Sequence, residues 1–132
     1  MALSLILFAV LDLTIADTAQ PWYLSQAFTI ALTSGDTWYL SGGDLFLLFS
    51  MAMLFIEILR STRSDGHSII NHAFSAVVFV VALMLFVTRR GYGNSTFFIY
   101  VSMTLLDFMA GFIITAVSAR RDVSFQNIGN QG

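Results

Sequence analysis

Residues 96–117 read TFFIYVSMTLLDFMAGFIITAV, and this stretch decides the fold class. It contains a single charged residue, Asp107, and it is as long as the ~20 apolar residues with which a helix crosses a hydrocarbon core. Two further runs, residues 42–59 and 68–87, have a similar length and the same apolar character. The sequence therefore predicts three transmembrane helices in these segments.

The composition of the whole chain points the same way. Of its 132 residues, 57% are hydrophobic and only 11% are charged, whereas about 25% of the residues in soluble domains are charged. One soluble core of this size could not hide so much apolar surface. We therefore expect an all-α, polytopic integral membrane protein of a bacterial inner membrane, with the lipid bilayer as its first partner.

The N-terminal third predicts about one further span, which would make four. In one interpretation residues 3–22 form that span and residues 23–33 lie at the far interface, where Trp and Tyr are enriched. In the other, the helix breaks near Asp17 to Pro21, and a second helix runs from Pro21 to Leu32, because proline is favoured at a first helical position. A broken helix at membrane depth would imply a site there. A secretory signal peptide is disfavoured because the basic segment that opens one is missing.

Arginine placement predicts the orientation. The spans form one domain over residues 1–122, and the Gln-, Asn- and Gly-rich residues 123–132 are predicted to be a flexible cytoplasmic tail. With consecutive spans, four arginines fall on one side of the membrane and two on the other, and the side with more arginine faces the cytoplasm. The six arginines form three pairs, and each pair lies just after an apolar run. This placement is typical of membrane ends and argues against a nucleic-acid-binding patch. The six arginines are Arg60, Arg63, Arg89, Arg90, Arg120 and Arg121.

Asp107 is the strongest candidate functional residue, because ionisable groups at bilayer depth are costly and functional by default. Gly111 and Thr115 follow it at intervals of four, so they share its helix face. Small residues let helices approach closely in lipid, and this face should therefore contact protein. Two interpretations stay open: a proton or cation site, or a neutral carboxyl that fixes the packing of a neighbouring helix.

Asp12 is the second candidate carboxyl. A helix that begins at Ala2 places residue 12 about 15 Å deep, which is a depth similar to that of Asp107. If the two helices are adjacent, the carboxyls could share a proton or hold a cation between them. If the helices are not adjacent, the similar depth has no meaning.

Glu57 and His72 flank the loop between the second and third spans. Glu57 lies one turn before Arg60, at a spacing that favours an ion pair at the membrane edge. A contact between Glu57 and His72 would instead make a pH-sensitive element. His67 and His72 are five residues apart, which is not the spacing of two ligands on one helix face, so we expect no metal site.

The motifs of common enzymes are missing from the sequence. Its glycines lack the strand, helix register and lysine of a phosphate-binding loop, and it contains no cysteine. Nothing places a serine and a histidine as nucleophile and base. We therefore expect neither enzymatic activity nor a cofactor.

Two functions remain. The first is a non-enzymatic homo-oligomer or an accessory subunit of a larger membrane complex, because three or four helices enclose few polar groups and Asp12, Asp107 and His72 would need partners from other chains. The second is a proton- or cation-coupled transporter or channel that uses the intramembrane carboxylates.

Overall fold

The computed structural model describes residues 1–15, 20–61 and 68–129, with side chains for residues 1–15, 20–60, 73–114, 116 and 117. The chain is mostly helical. The elements are helices α1 (Ala2–Thr14), α2 (Gly42–Ser61), α3 (Ser68–Thr88) and α4 (Ser95–Gly129), with a 3-10 turn (Trp22–Leu24) and strands β1 (Gln26–Ala31) and β2 (Thr37–Ser41) between α1 and α2.

The helices predicted over residues 42–59, 68–87 and 96–117 are confirmed as helices. Within the described residues, Gly42–Arg60 of α2 and Ser95–Ile114 of α4 are long and apolar enough to cross a membrane, whereas α1 and Ala73–Thr88 of α3 are apolar but shorter. Side-chain hydrogen bonds cap the N-termini of both long helices. Asp44 and Ser41 exchange side-chain-to-backbone hydrogen bonds of 2.9 and 3.2 Å, which is a capping box, and Asn94 Oδ1 accepts from the Phe97 N–H at 2.9 Å.

The predicted first span over residues 3–22 is wrong, because α1 ends at Thr14 after 13 residues. Such a helix is about 20 Å long, which is shorter than the ~30 Å hydrocarbon core. The helix predicted over Pro21–Leu32 is wrong as well. Pro21 has extended backbone angles (φ −55°, ψ 137°), and only the three residues Trp22–Leu24 after it are helical, in a 3-10 turn. Residues 16–19, including Asp17, lie outside the described residues.

The prediction of an all-α fold missed a β-hairpin. Strands β1 and β2 pair antiparallel, from Gln26 opposite Ser41 to Ala31 opposite Thr37. At the turn, the Leu32 N–H donates to the Asp36 carbonyl at 2.8 Å, and Gly35 has φ +91°. A three-residue loop that ends in a left-handed glycine is a favoured hairpin connection, and this local chemistry overrides the helical propensity of the flanking Leu and Ala residues.

A cluster of aromatic side chains holds α1 against the other elements. The Phe8 ring, fully buried, lies within 5.2 Å of four other ring centroids. Those rings come from the 3-10 turn, α2, the α3–α4 loop and α4. We call this set the aromatic core, and its members are Phe8, Trp22, Phe46, Tyr92 and Phe97. The end of the bundle that carries the hairpin and the α3–α4 loop is called the hairpin end.

Helix α4 is much longer than the helix beside it. α3 and α4 run antiparallel, with Phe86 beside Phe98 and Ser75 bonded to Asp107. This register places Ser68, the first residue of α3, level with about residue 114 of α4. Residues 123–129, predicted as a tail, are the last residues of α4, which ends at Gly129, and the flexibility of this segment stays a prediction. No proline interrupts this segment, and an existing helix extends at little cost. Residues 130–132 lie outside the described residues.

Candidate functional site

Asp107 lies inside the helix bundle. Its side chain is buried, with 4% of its surface exposed, and Ser75 of α3, 5% exposed, donates a hydrogen bond of 2.9 Å from Oγ to Asp107 Oδ2. Gly111, one helical turn further along α4, is also buried. The carboxyl thus faces protein, and a hydroxyl on the neighbouring helix satisfies one of its oxygens.

A second set of polar contacts joins α1, α2 and α4. The α-amino group of Met1 forms an ion pair with the Glu57 carboxylate. The buried Tyr100 hydroxyl donates to the Met1 carbonyl at 2.9 Å. Tyr100 lies seven residues before Asp107, on the same face of α4, so the Met1 and Ser75 contacts lie along one face of that helix. We call Met1, Glu57, Ser75, Tyr100 and Asp107 the central polar cluster.

Two buried serines extend this cluster toward the aromatic core. Ser4 of α1 and Ser50 of α2 are both 0% exposed, and their hydroxyls have no hydrogen-bond partner in the described part of the chain. Ser4 lies one turn before Phe8, and Ser50 lies one turn after Phe46, whose ring contacts Phe8. Buried hydroxyls without partners are uncommon in proteins, which makes these two the least satisfied groups near the cluster.

Asp12 does not lie beside Asp107, so the predicted carboxylate pair does not form. Asp12 Oδ1 is 3.6 Å from the position that a Cβ of Gly91 would occupy, in the α3–α4 loop. Asp107 instead contacts Ser75, which is 13 residues before Thr88 and therefore about 20 Å from that loop along α3. The prediction assumed that α1 begins at the outside of the bundle, whereas Met1 is 3% exposed and lies inside it.

The hairpin end holds Asp12 beside basic and aromatic groups. Asp12 lines a cleft of about 240 Å³ together with Trp22 and Arg90. The guanidinium of Arg89 lies 5.6 Å from the centre of the Tyr92 ring. Burial raises the pKa of the Tyr92 phenol above the ordinary 10.0, the charge of Asp12 raises it further, and the charge of Arg89 lowers it.

The raised pKa of Tyr92 predicts how the stability of the protein changes at alkaline pH. Because the folded state holds the Tyr92 proton more tightly than the unfolded state, the stability from this group is full below pH 10.0 and is lost as the pH rises through the raised folded pKa. We expect Asp12→Asn to shift the tyrosinate absorbance titration of Tyr92, isolated by difference from Tyr92→Phe, to lower pH. Asp36→Asn, at the hairpin turn, should leave it unchanged. A shift to higher pH in Asp12→Asn would contradict the assigned coupling.

The remaining predicted residues fall into two groups. Arg60 lies in the last turn of α2, and Arg89 and Arg90 directly follow α3, so the described arginines occupy opposite ends of the bundle. The other predicted side chains lie outside the described residues, and these are Arg63, His67, His72, Thr115, Arg120 and Arg121. Among the described residues, no three His, Asp or Glu side chains are grouped as metal ligands.

Sequence reasoning missed Ser75, Tyr100, Ser4 and Ser50. One signal pointed to Ser75: Ser68, His72 and Ser75 follow the i, i+4, i+7 spacing, which places three polar residues on one helix face. The partner of that face on α4 could not be read from spacing, because the register between two helices is set by packing.

No family model, curated protein or solved structure matches this chain.

The Ser75–Asp107 bond should contribute measurably to stability. Interhelical hydrogen bonds in membranes contribute about 0.6 kcal/mol on average and up to about 1.7 kcal/mol. We expect Ser75→Ala to lower the free energy of unfolding by an amount in this range, measured by denaturing-detergent titration. The matched control is Ser102→Ala, because the Ser102 hydroxyl donates within its own helix, to the Phe98 carbonyl. Equal effects of the two substitutions would show that the interhelical bond adds nothing.

Proposed function

We propose that this protein is a small, non-enzymatic, polytopic membrane protein that works within an assembly, as a homo-oligomer or as an accessory subunit of a larger complex. We place it in the inner membrane of a bacterium, with the Arg60 end and the C-terminus in the cytoplasm and the hairpin end outside. In this arrangement α2, α3 and α4 cross the bilayer, and α1 enters it from the hairpin end.

Exposed apolar side chains support the membrane placement. Phe55 of α2, Met84 of α3 and Phe112 of α4 are 63%, 58% and 61% exposed, and large side chains of this kind cover the outside of the bundle. Monomeric soluble proteins rarely expose contiguous apolar patches of more than a few hundred Å². Lipid is the solvent that such a surface fits.

The length of α4 carries the proposal of an assembly. By the register of the Ser75–Asp107 bond, about 15 residues of α4 extend past the first residue of α3. In proteins most helical stability comes from tertiary packing and little from intrinsic propensity. A partner packed along residues 115–129 would supply that packing, and we assign this segment as the assembly element.

Native mass spectrometry of the full chain in mild detergent tests the assembly. We expect an oligomer or a co-purifying membrane subunit, and we expect a chain that stops after Val117 to lose it while keeping the thermal stability of the bundle. A strictly monomeric full-length particle without a partner would contradict the proposal.

Proton or cation transport is the second candidate, and the central polar cluster is the observation that favours it. It contains the carboxyls of Glu57 and Asp107 and the buried phenol of Tyr100, and the buried hydroxyls of Ser4 and Ser50 have no hydrogen-bond partner among the described residues. Such groups could relay a proton. The hydrogen bond that Ser75 donates to Asp107 supports the structural role, because it joins α3 to α4.

Reconstitution into liposomes that contain a pH-sensitive dye separates the two candidates. Transport through the cluster requires that Asp107→Asn abolish a flux that the parent protein shows. A structural carboxyl predicts no flux above empty liposomes in either protein. An unchanged flux in Asp107→Asn would exclude Asp107 as the transport group.

A further inference from the structure

The β-hairpin has one face that is entirely apolar. Residues directly opposite each other in an antiparallel pair share a face, and successive residues alternate between faces. The register pairs Phe28 with Leu40 and Ile30 with Trp38. These four residues therefore lie on one side, which we call the apolar face of the hairpin.

The opposite face is more polar. It carries the pair of Thr29 with Tyr39 and the pair of Ala31 with Thr37. All six residues of β1 are exposed. The hairpin is therefore an amphipathic two-stranded sheet with no second layer in the described part of the chain.

Protein covers only one of the four residues of the apolar face. Leu40 is 6% exposed, close to the point where β2 leads into α2. On the same face Ile30, Trp38 and Phe28 are 44%, 51% and 61% exposed. The apolar face is thus covered by protein at Leu40, and its other three side chains are exposed.

We propose that the apolar face of the hairpin lies on the outer surface of the bilayer, with Trp38 at the boundary between headgroups and acyl chains. This inference rests on the proposed membrane placement. Because α2 begins at Gly42, directly after β2, the hairpin is fixed at the level where α2 enters the membrane. Leu45 and Leu48 in the first turns of α2 are 37% and 50% exposed, so the helix that follows the hairpin also presents apolar side chains.

The chemistry of the hairpin fits a lipid surface better than water. A two-stranded hairpin alone is marginally stable in water, and exposed strand edges in soluble proteins are usually protected by charges, lysine above all. Strands β1 and β2 contain no charged residue. Trp and Tyr are enriched at membrane interfaces because their rings are apolar at one end and polar at the other.

The absence of cysteine from the chain allows a direct test with the full-length protein in phospholipid vesicles. Single cysteines are introduced by Ile30→Cys on the apolar face and by Thr29→Cys on the opposite face, and each is spin-labelled. Collision with oxygen, which concentrates in lipid, is compared with collision with a water-soluble nickel chelate. We expect the label at position 30 to favour oxygen and the label at position 29 to favour the chelate.

A third label, from Leu48→Cys on α2, separates this inference from the proposed membrane placement. If the label at position 48 is in lipid and the labels at positions 29 and 30 are equally accessible to the chelate, the hairpin inference is wrong and the membrane placement stands. If the label at position 48 is also in water, the membrane placement fails first. If the label at position 30 is shielded from both reagents and shows spin–spin broadening, a second copy covers the face and the inference is overturned.

Discussion

Phe8→Ala is expected to destabilise the folded protein by about 3–5 kcal/mol, which is the cost of truncating a fully buried aromatic ring. The Phe8 ring is 0% exposed, and the rings of Trp22, Phe46, Tyr92 and Phe97 surround it at 5.1, 5.2, 5.1 and 4.6 Å. Each neighbour comes from a different part of the chain. Removal of the ring should therefore loosen α1, the 3-10 turn and the α3–α4 loop together.

Denaturing-detergent titration of the purified protein measures this loss. Phe55→Ala is the matched control, because Phe55 is 63% exposed on α2 and its removal leaves no internal cavity. We expect the control to stay within about 0.5 kcal/mol of the parent protein, as surface substitutions usually do. A Phe8→Ala variant as stable as Phe55→Ala would show that the aromatic core does not hold α1 in place.

The sequence predicted the long helices well because their signal is local. An apolar run of membrane length, bounded by capping residues, needs no knowledge of the rest of the chain. The start of α2 shows this, since Ser41 and Asp44 form a capping box that can be read from four consecutive residues. The same holds for Asn94 at the start of α4.

The N-terminal third was mispredicted because its pattern is ambiguous. Alanine fills positions 27 and 31 of β1, so the alternation of Phe28, Thr29 and Ile30 reads as part of a continuous apolar run. The turn Ser34-Gly35-Asp36 was the available signal, because glycine between two β-prone runs is typical of a hairpin loop. Weighing that signal above hydropathy would have identified the hairpin.

The candidate site was only half predictable. Burial of Asp107 against protein followed from the small residues on its helix face. The identity of its partner, Ser75, depends on the register between α3 and α4, which side-chain packing along the whole helix pair determines. The placement of Asp12 depended on where α1 begins relative to the bundle, and no local pattern encodes that position.

Gly42→Ala is expected to lower the free energy of unfolding by about 1–3 kcal/mol, which is the usual cost of overpacking a close contact. A Cβ at position 42 would lie 2.5 Å from the Trp22 carbonyl oxygen. This obstacle is backbone, which cannot rotate away as the end of a flexible side chain can. The turn at Trp22–Leu24 must therefore shift away from α2, and the hairpin that follows it should shift as well.

Gly93→Ala is the matched control, because the nearest atom to a Cβ there is the Phe86 carbonyl oxygen at 4.0 Å, an ordinary contact. Its stability should be unchanged or slightly higher, since alanine restricts the unfolded chain more than glycine does. Detergent titration measures both variants, and the emission of Trp22 in a Trp38→Phe background reports whether the 3-10 turn has moved. Equal stability of the two variants, with unchanged Trp22 emission, would contradict this prediction. It would show that the Trp22 carbonyl oxygen does not lie within 2.5 Å of a Cβ at position 42.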